Sequence, residues 1–215
     1  MTKRRKVGNL LALAVLSALV QRPMHPYEMA SVLRARGKDR DMAVKWGSLY
    51  TVVHNLDKHG LIEAAQSSRE GGRPERTVYR VTDAGRAELE DWTRELLSTP
   101  EEEHPRFEAG LSVMAGLAPD EVTTLLRRRL EALETRIAAQ RAALDRERAQ
   151  IPRLFLVESE YALAMREAEA AWTRSLLDEL AAGTFPGLEQ WRAYHRTGRL
   201  APDVAGLAER GSVTD

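Results

Sequence analysis

The chain has 215 residues, 43% apolar and 30% charged, and its 32 basic and 32 acidic side chains cancel; that is ordinary composition for one large domain or two small ones with a real core. The absence of cysteine excludes disulfide stapling, thiolate catalysis and cysteine-based zinc sites. Zero net charge argues against nucleic acid or an anionic membrane as partner until the chain is divided: residues 1–86 carry 16 Lys+Arg against 8 Asp+Glu, net +8, and the remainder carries 16 against 24, net −8, so a basic front half precedes an acidic back half.

The opening "MTKRRKVGN" and "LLALAVLSALV" imitate the charged and apolar regions of a secretory signal. No small-residue cleavage site follows Val20, and the run is shorter than the roughly 20 residues that span a bilayer. The expectation is a buried helix over residues 8–20. It is apolar nearly all round, so it needs cover on more than one side, some of it from beyond its own small domain. A second helix, about Pro26–Ala35, follows the break at Pro23, with Pro26 in the first turn where its missing N–H costs nothing. Met29, Ala30, Val32 and Leu33 form its inner face.

In "WGSLYTVVHNLDKHGLIEA", Leu49, Val52, Val53 and Leu56 recur at i, i+3, i+4 and i+7, a complete helical stripe. Thr51, His54, Asn55 and Lys58 lie on the opposite side, with Ser48 and Tyr50 at the margins. Gly60 ends the helix. "LIEAAQ" and "TVYRVT" read as two short strands around the loop "SSREGGRPER", a hairpin whose tip holds Arg69, Arg73 and Arg76. Thr82 or Asp83 caps a further helix, about 84–97, with Leu89, Trp92 and Leu96 on one side. The acidic, proline-bounded "STPEEEHP" marks a boundary near residue 100.

Beyond it, a short helical piece near 107–115 leads to "LAPDEV", a helix start with proline and acids in the first turn. Val122, Leu126, Leu130, Leu133, Ile137 and Leu144 then repeat in heptad fashion on a long helix that Pro152 ends. A second long helix, about 154–182, carries Val157, Tyr161, Met165, Ala168, Trp172, Leu176 and Leu180 on one side. Together they make an antiparallel hairpin whose apolar seam is wider than one partner fills. Residues 184–215 have weak periodicity and several glycines and prolines, and form a partly ordered tail.

No enzyme geometry emerges. His54 and His59 are five residues apart, not the four that put two imidazoles on one helical face for a metal. "EGGRP" lacks the ending of a phosphate-cradling loop. The carboxylate pairs on the long helices lack a burying apolar cluster that would tune one of them. The chain is therefore read as a non-enzyme without metal or other cofactor.

Helix, helix, turn, helix, strand, basic loop, strand is the layout of a winged helix-turn-helix, in which the third helix enters the major groove of DNA and the hairpin tip lies over the backbone or minor groove. The fold class expected is mostly α with a small β-hairpin wing: a DNA-binding domain at 1–99, an antiparallel, coiled-coil-like helical dimerisation domain at 100–183, and a tail at 184–215. Candidate DNA-binding residues are Lys3, Arg4, Lys45, Ser48, Tyr50, Thr51, His54, Asn55, Lys58, Arg69, Arg73 and Arg76. A polar helix face alone usually does no more than keep a helix soluble; three positive elements converging on one side shift the balance to DNA.

The stretches "HPYEM", "GSLYTVVHNLDKHGLIEA" and "GGRPERTVYRVTDAGRAEL" resemble the PadR-family transcriptional regulators over about residues 8–97. That family shows His-Gly-Tyr-Glu, then Gly-Ser/Thr-Leu/Ile-Tyr-Pro, then a Gly-Arg-Pro wing followed by Tyr-x-Leu-Thr-x-x-Gly. Pro26 replaces the glycine, Thr51 the proline and Val81 the leucine. The resemblance implies DNA contacts from Ser48, Tyr50 and the wing tip at Arg73. It implies a cytoplasmic homodimer built by the back half and the first helix, most readily a repressor that reads an inverted repeat, and a small aromatic or hydrophobic effector. Candidate dimer residues are Leu11, Val15, Leu126, Leu130, Leu133, Ile137, Met165, Trp172 and Leu176. Trp92 and Trp172 are candidates for stacking on the effector, although large aromatics at helical spacing more often serve a core. The alternative is a protein-interaction adaptor whose working surface is the helical hairpin, the winged domain serving as scaffold.

Overall fold

A computed structural model describes residues 5, 7–38, 42, 46–68 and 76–199, at 66–68 and 76 by backbone alone. The chain divides into two compact units, 1–102 and 103–215.

The front unit is built around α1 (Leu10–Leu19). The Asn9 side chain accepts from Leu11 N to start it. Leu11, Ala12, Ala14, Val15, Leu16 and Leu19 are all buried, under α2 (Pro26–Ala35), α3 (Leu49–Lys58), α4 (Asp83–Ser98) and strand β2 (Arg76–Val81). The cover that the all-apolar pattern demanded thus comes from the chain itself. Leu11 and Val15, expected at a subunit contact, are 1% and 0% exposed within one chain and leave nothing for a partner to touch.

Strand β1 (Ile62–Ser68) pairs antiparallel with β2, Ile62 opposite Val81 and Glu63 opposite Arg80, with a bulge between Ala64 and Gln66. Met24, in the turn between α1 and α2, exchanges both backbone hydrogen bonds with Tyr79 at 3.0 Å. The wing is therefore tied to the helical core and not only to its own hairpin.

In the rear unit, α5 (Arg106–Ser112) precedes two long helices, α6 (Pro119–Arg148) and α7 (Val157–Ala182), and a shorter α8 (Leu188–Thr197). Pro119 at the first position and Asp120 and Glu121 in the first turn start α6. Gly183, at φ 72°, stops α7. The heptad stripe of α6 faces inward: Val122, Leu126, Leu133, Ile137 and Leu144 are buried and Leu130 is partly so, so Leu126, Leu130, Leu133 and Ile137, expected at a subunit contact, pack instead within the hairpin of one chain. On α7 the expectation needs correcting. The face that meets α6 carries Leu163, Ala170, Thr173, Leu177 and Leu180. Val157, Tyr161, Met165 and Trp172 are 51%, 66%, 49% and 49% exposed. The helix has two apolar stripes, and the one with the larger side chains points outward.

Within the tail, α8 packs back on the rear unit. In α8 Leu188 is buried, Trp191 donates from Nε1 to the Leu117 carbonyl at 2.9 Å, and His195 Nε2 lies 2.9 Å from the Ala115 carbonyl. Residues 200–215 lie outside the described residues. Among the described residues no helix is long and apolar enough to cross a membrane.

Thr173 is fully buried between α6 and α7, and its hydroxyl has no hydrogen-bond partner among the described residues. An unmatched buried hydroxyl costs about 1 to 3 kcal/mol. Thr173→Val, which keeps the shape and removes the hydroxyl, should raise the rear unit's stability by about 1 kcal/mol, read as a higher denaturant midpoint at unchanged slope.

Candidate nucleic-acid interface

The candidate recognition element is α3 with the single turn of tighter helix that leads into it, Trp46–Ser48. Its inner stripe, Leu49, Val52, Val53 and Leu56, is 0–4% exposed. Burying four apolar side chains, each worth about 1.5 to 3 kcal/mol, fixes the rotation of the helix and hence the outward face. At 100° per residue that face is centred on Thr51, His54 and Lys58, all exposed. Asn55, half-buried, forms one flank; Tyr50, 64% exposed, and Asp57 form the other. The C-terminal stop is a Schellman arrangement, Gly60 N donating to Asp57 O at 2.8 Å and Leu61 N to Leu56 O at 2.9 Å. Gly60 itself sits at φ 69°.

The N-terminal end, where a groove-inserted helix meets bases first, has no side-chain cap: Ser48 is partly buried and makes no capping hydrogen bond. Packing holds it instead. Trp46 lies partly buried against the core, and the Arg34 guanidinium, from the last turn of α2, stacks over its ring at 4.6 Å.

Asp57 is an acid on this surface, and with burial, the larger cause, it pushes the Tyr79 hydroxyl above its ordinary pKa. A carboxylate on that flank repels phosphate, so it narrows the orientations in which the helix can approach a duplex.

The basic elements fare differently from one another. Arg80, in β2, is paired with Glu63 at 2.8 Å, and Arg22 with Glu28 at 2.5 Å. The hydrogen bond from Arg22 outweighs burial and holds the Glu28 carboxyl below its usual range. Arg5, within the basic N-terminal cluster, is turned inward. Its side chain is 4% exposed, hydrogen-bonded to Glu88 at 2.6 Å and to Glu95, and 3.4 Å from Asp91. Burial opposes its charge, yet the hydrogen bonds and charges of Glu88 and Glu95 prevail and raise its pKa. Its guanidinium also lies 5.1 Å from the centre of the Trp92 ring. One charge of that cluster is thus spent inside the protein. Lys3, Arg4, Lys45, Arg69 and Arg73 lie outside the described residues, and of Arg76 only the backbone is described.

The sequence reading passed over Tyr27 and Arg34. Tyr27 is 76% exposed on the first turn of α2, where a hydroxyl can donate to a phosphate oxygen. Its neighbour Pro26 marks a helix start; the packing that leaves the ring outside is not a local signal.

The two tryptophans named as effector candidates part company. Trp92 is buried at 5% beneath Arg5 and offers no open face. Trp172 keeps half its surface free, with its ring edge-on to Phe107 at 6.0 Å; Arg129, paired with Glu169, lies 3.6 Å over that Phe107 ring.

Residues 15–91 match the model of the transcriptional regulator PadR-like family. The fold is similar to that of Bacillus subtilis PadR in complex with operator DNA, at 20% identity and a TM-score of 0.66 over 80% of this chain and 99% of that one. It is similar to the same regulator in complex with p-coumaric acid, at 19%, 0.65, 80% and 99%. The Vibrio cholerae virulence activator AphA matches at 19%, 0.60, 80% and 98%. No curated protein matches significantly.

Proposed function

We propose that this chain, whose residues 15–91 form a PadR-like regulator domain, is a sequence-specific DNA-binding transcriptional regulator that acts as a homodimer in the cytoplasm, represses from an inverted-repeat operator and is released by a small aromatic or hydrophobic effector. One observation carries the reading: α3 buries its apolar stripe completely and presents Thr51, His54 and Lys58 in a line on the opposite side. Side chains of that kind donate to and accept from base edges and hold phosphates. The similar regulator solved with operator DNA supports the DNA reading, and the one solved with p-coumaric acid supports the effector.

A two-fold pair of such helices meets successive major grooves about 34 Å apart. Cationic side chains supply affinity through counterion release, and the outward line of α3 supplies selection.

Sequencing genomic DNA captured by the purified protein identifies the operator. Thr51→Ala with His54→Ala should then weaken operator binding by about 1 to 3 kcal/mol per lost base contact and leave random duplex unchanged. Lys58→Ala should weaken both and lower the slope of log K against log salt by about 1. Equal retention of random and genomic fragments near physiological salt would remove the sequence-specific reading, and loss of salt-dependent DNA binding altogether would favour an adaptor.

A further inference from the structure

We infer that Arg34, acting through the ring of Trp46, is a positioning residue that sets the DNA selectivity of α3 without touching the duplex; the inference rests on the DNA reading proposed above and names a determinant of it. Trp46 opens the single tight turn that leads into α3. In a turn of that kind side chains three residues apart eclipse, so the ring falls on the same side as Leu49 and extends the inner stripe of α3 back by one turn. It lies partly buried against the core cluster that holds Leu49 and Val53. Arg34 is in the last turn of α2, next to the fully buried Leu33. One step of 100° from Leu33 takes its side chain to the margin of the buried face. From there the stem reaches Trp46, and the guanidinium lies over the ring, 4.6 Å from its centre.

The two ends of α3 are held differently. At the C-terminal end main-chain bonds fix it: Leu61 N donates to Leu56 O at 2.9 Å, and Thr82 N to Leu61 O at 3.1 Å. At the N-terminal end the hold is side-chain packing, by Leu49 and Trp46. Gly47, directly after the ring, is exposed, and a Cβ there would meet nothing within 4 Å, so the turn gains no packing at that position. The ten residues of α3 span about 15 Å, and a displacement of about 1 Å at the ring therefore tilts the helix by about 4° around its fixed end. Hydrogen bonds to base edges are short and directional and weaken steeply when misaligned, whereas attraction to phosphate falls off only over about 8 to 10 Å. A loosened ring thus costs selection and spares general affinity.

The arginines near Arg34 are engaged in another way. Arg22 is paired with Glu28, and Arg36 donates to the Gln21 side chain at 2.5 Å; the partner of Arg34 is an aromatic face. A guanidinium flat on an indole is attracted by the ring itself and keeps its charge. An acid in that place would also hold the cation, but it would bring a negative charge to the end of the helix that meets bases first and would repel the duplex. The stack fixes the same end without that charge.

Arg34→Ala, Arg34→Lys, Trp46→Leu and the double variant Arg34→Ala with Trp46→Leu are titrated with the captured operator and with random duplex across a salt series. Circular dichroism and melting establish that each is folded. Arg34→Ala should bind the operator about two- to fivefold more weakly, the span that the strength of an exposed stack allows, with random-duplex binding and the slope of log K against log salt unchanged. Arg34→Lys, which keeps the charge but not the plane, should recover only part of the loss. The double variant should bind no more weakly than Trp46→Leu alone, because the two residues act together. In fluorotryptophan-labelled protein without DNA, Arg34→Ala should move the fluorine line of Trp46, assigned by its absence from Trp46→Leu. Weakening of both duplexes with a slope lower by about 1 would make Arg34 a phosphate contact and overturn the inference. So would operator binding equal to the parent's, or additive losses in the double variant. If Trp46→Leu does not fold, the two Arg34 variants and their salt slopes decide alone. A parent protein that holds operator and random duplex equally would overturn the sequence-specific reading, and this inference with it.

Discussion

Gly85→Ala should cost the front unit about 3 kcal/mol or more, near the upper end of the usual cost of overpacking a tight site, and lower its melting temperature by roughly 15 °C at the scale expected of a domain this size. A methyl group at that position would lie 1.9 Å from the Leu61 carbonyl oxygen and 2.9 Å from a Val81 methyl. The oxygen is backbone and cannot rotate away. It already accepts from Thr82 N at 3.1 Å, while the Thr82 hydroxyl donates to the Gly60 carbonyl at 2.7 Å and accepts from Gly85 N at 3.0 Å. The end of α3, the end of the wing and the start of α4 are therefore knotted within a few residues. Relieving the clash must move α4 or the wing. Thermal and urea unfolding of the variant measure the loss. The neighbouring control Gly60→Ala acts through a different cause, positive φ, and should cost nearer 1 kcal/mol. A Gly85→Ala protein as stable as the parent would show that this junction is looser than its packing indicates.

Arg5→Ala should be the second severe change, costing about 2 kcal/mol, because removing the buried cation leaves three partly exposed carboxylates uncompensated, at a penalty that solvent screening reduces below that of a fully buried pair. Glu88, Asp91 and Glu95 lie three and four residues apart, on one face of α4. With Arg5 they share a cation; without it they repel one another, and Trp92 loses the guanidinium stacked on it. Arg5→Lys keeps the charge but not the fork that reaches several carboxylates at once, so it should recover about half the loss. Arg5→Ala combined with Glu88→Gln and Glu95→Gln should recover more than Arg5→Ala alone. Denaturant midpoints for the set separate a charge effect from a packing effect. If all the variants melted with the parent, the cluster would contribute nothing to stability.

The outward face of α3 was legible in the sequence. A period of 3.6 residues is a local property, and once Leu49, Val52, Val53 and Leu56 are known to face a core, the orientation of Thr51, His54 and Lys58 follows. The caps at Thr82 and Gly60 were readable for the same reason: each satisfies backbone groups within four or five residues of itself. The heptad stripe of α6 was unambiguous because that helix has one apolar side.

Where a segment offers two solutions, only the packing chose between them. α7 carries two apolar stripes, and the one with the larger side chains made the better sequence pattern. The hairpin pairs through the other, because Ala170 and Thr173 let α6 approach closely, and the inter-helix pairs Arg129 with Glu169 and Arg141 with Glu167 close the sides. For α1, an all-apolar pattern says that cover is needed on every side and not who provides it; the chain wraps its own first helix. The basic N-terminal run looked uniform, yet Arg5 is drawn inward by acids 83 to 90 residues away. Composition and periodicity determined which surfaces exist on this protein. Contacts between residues distant in sequence decided which of those surfaces are spent inside the fold and which remain exposed.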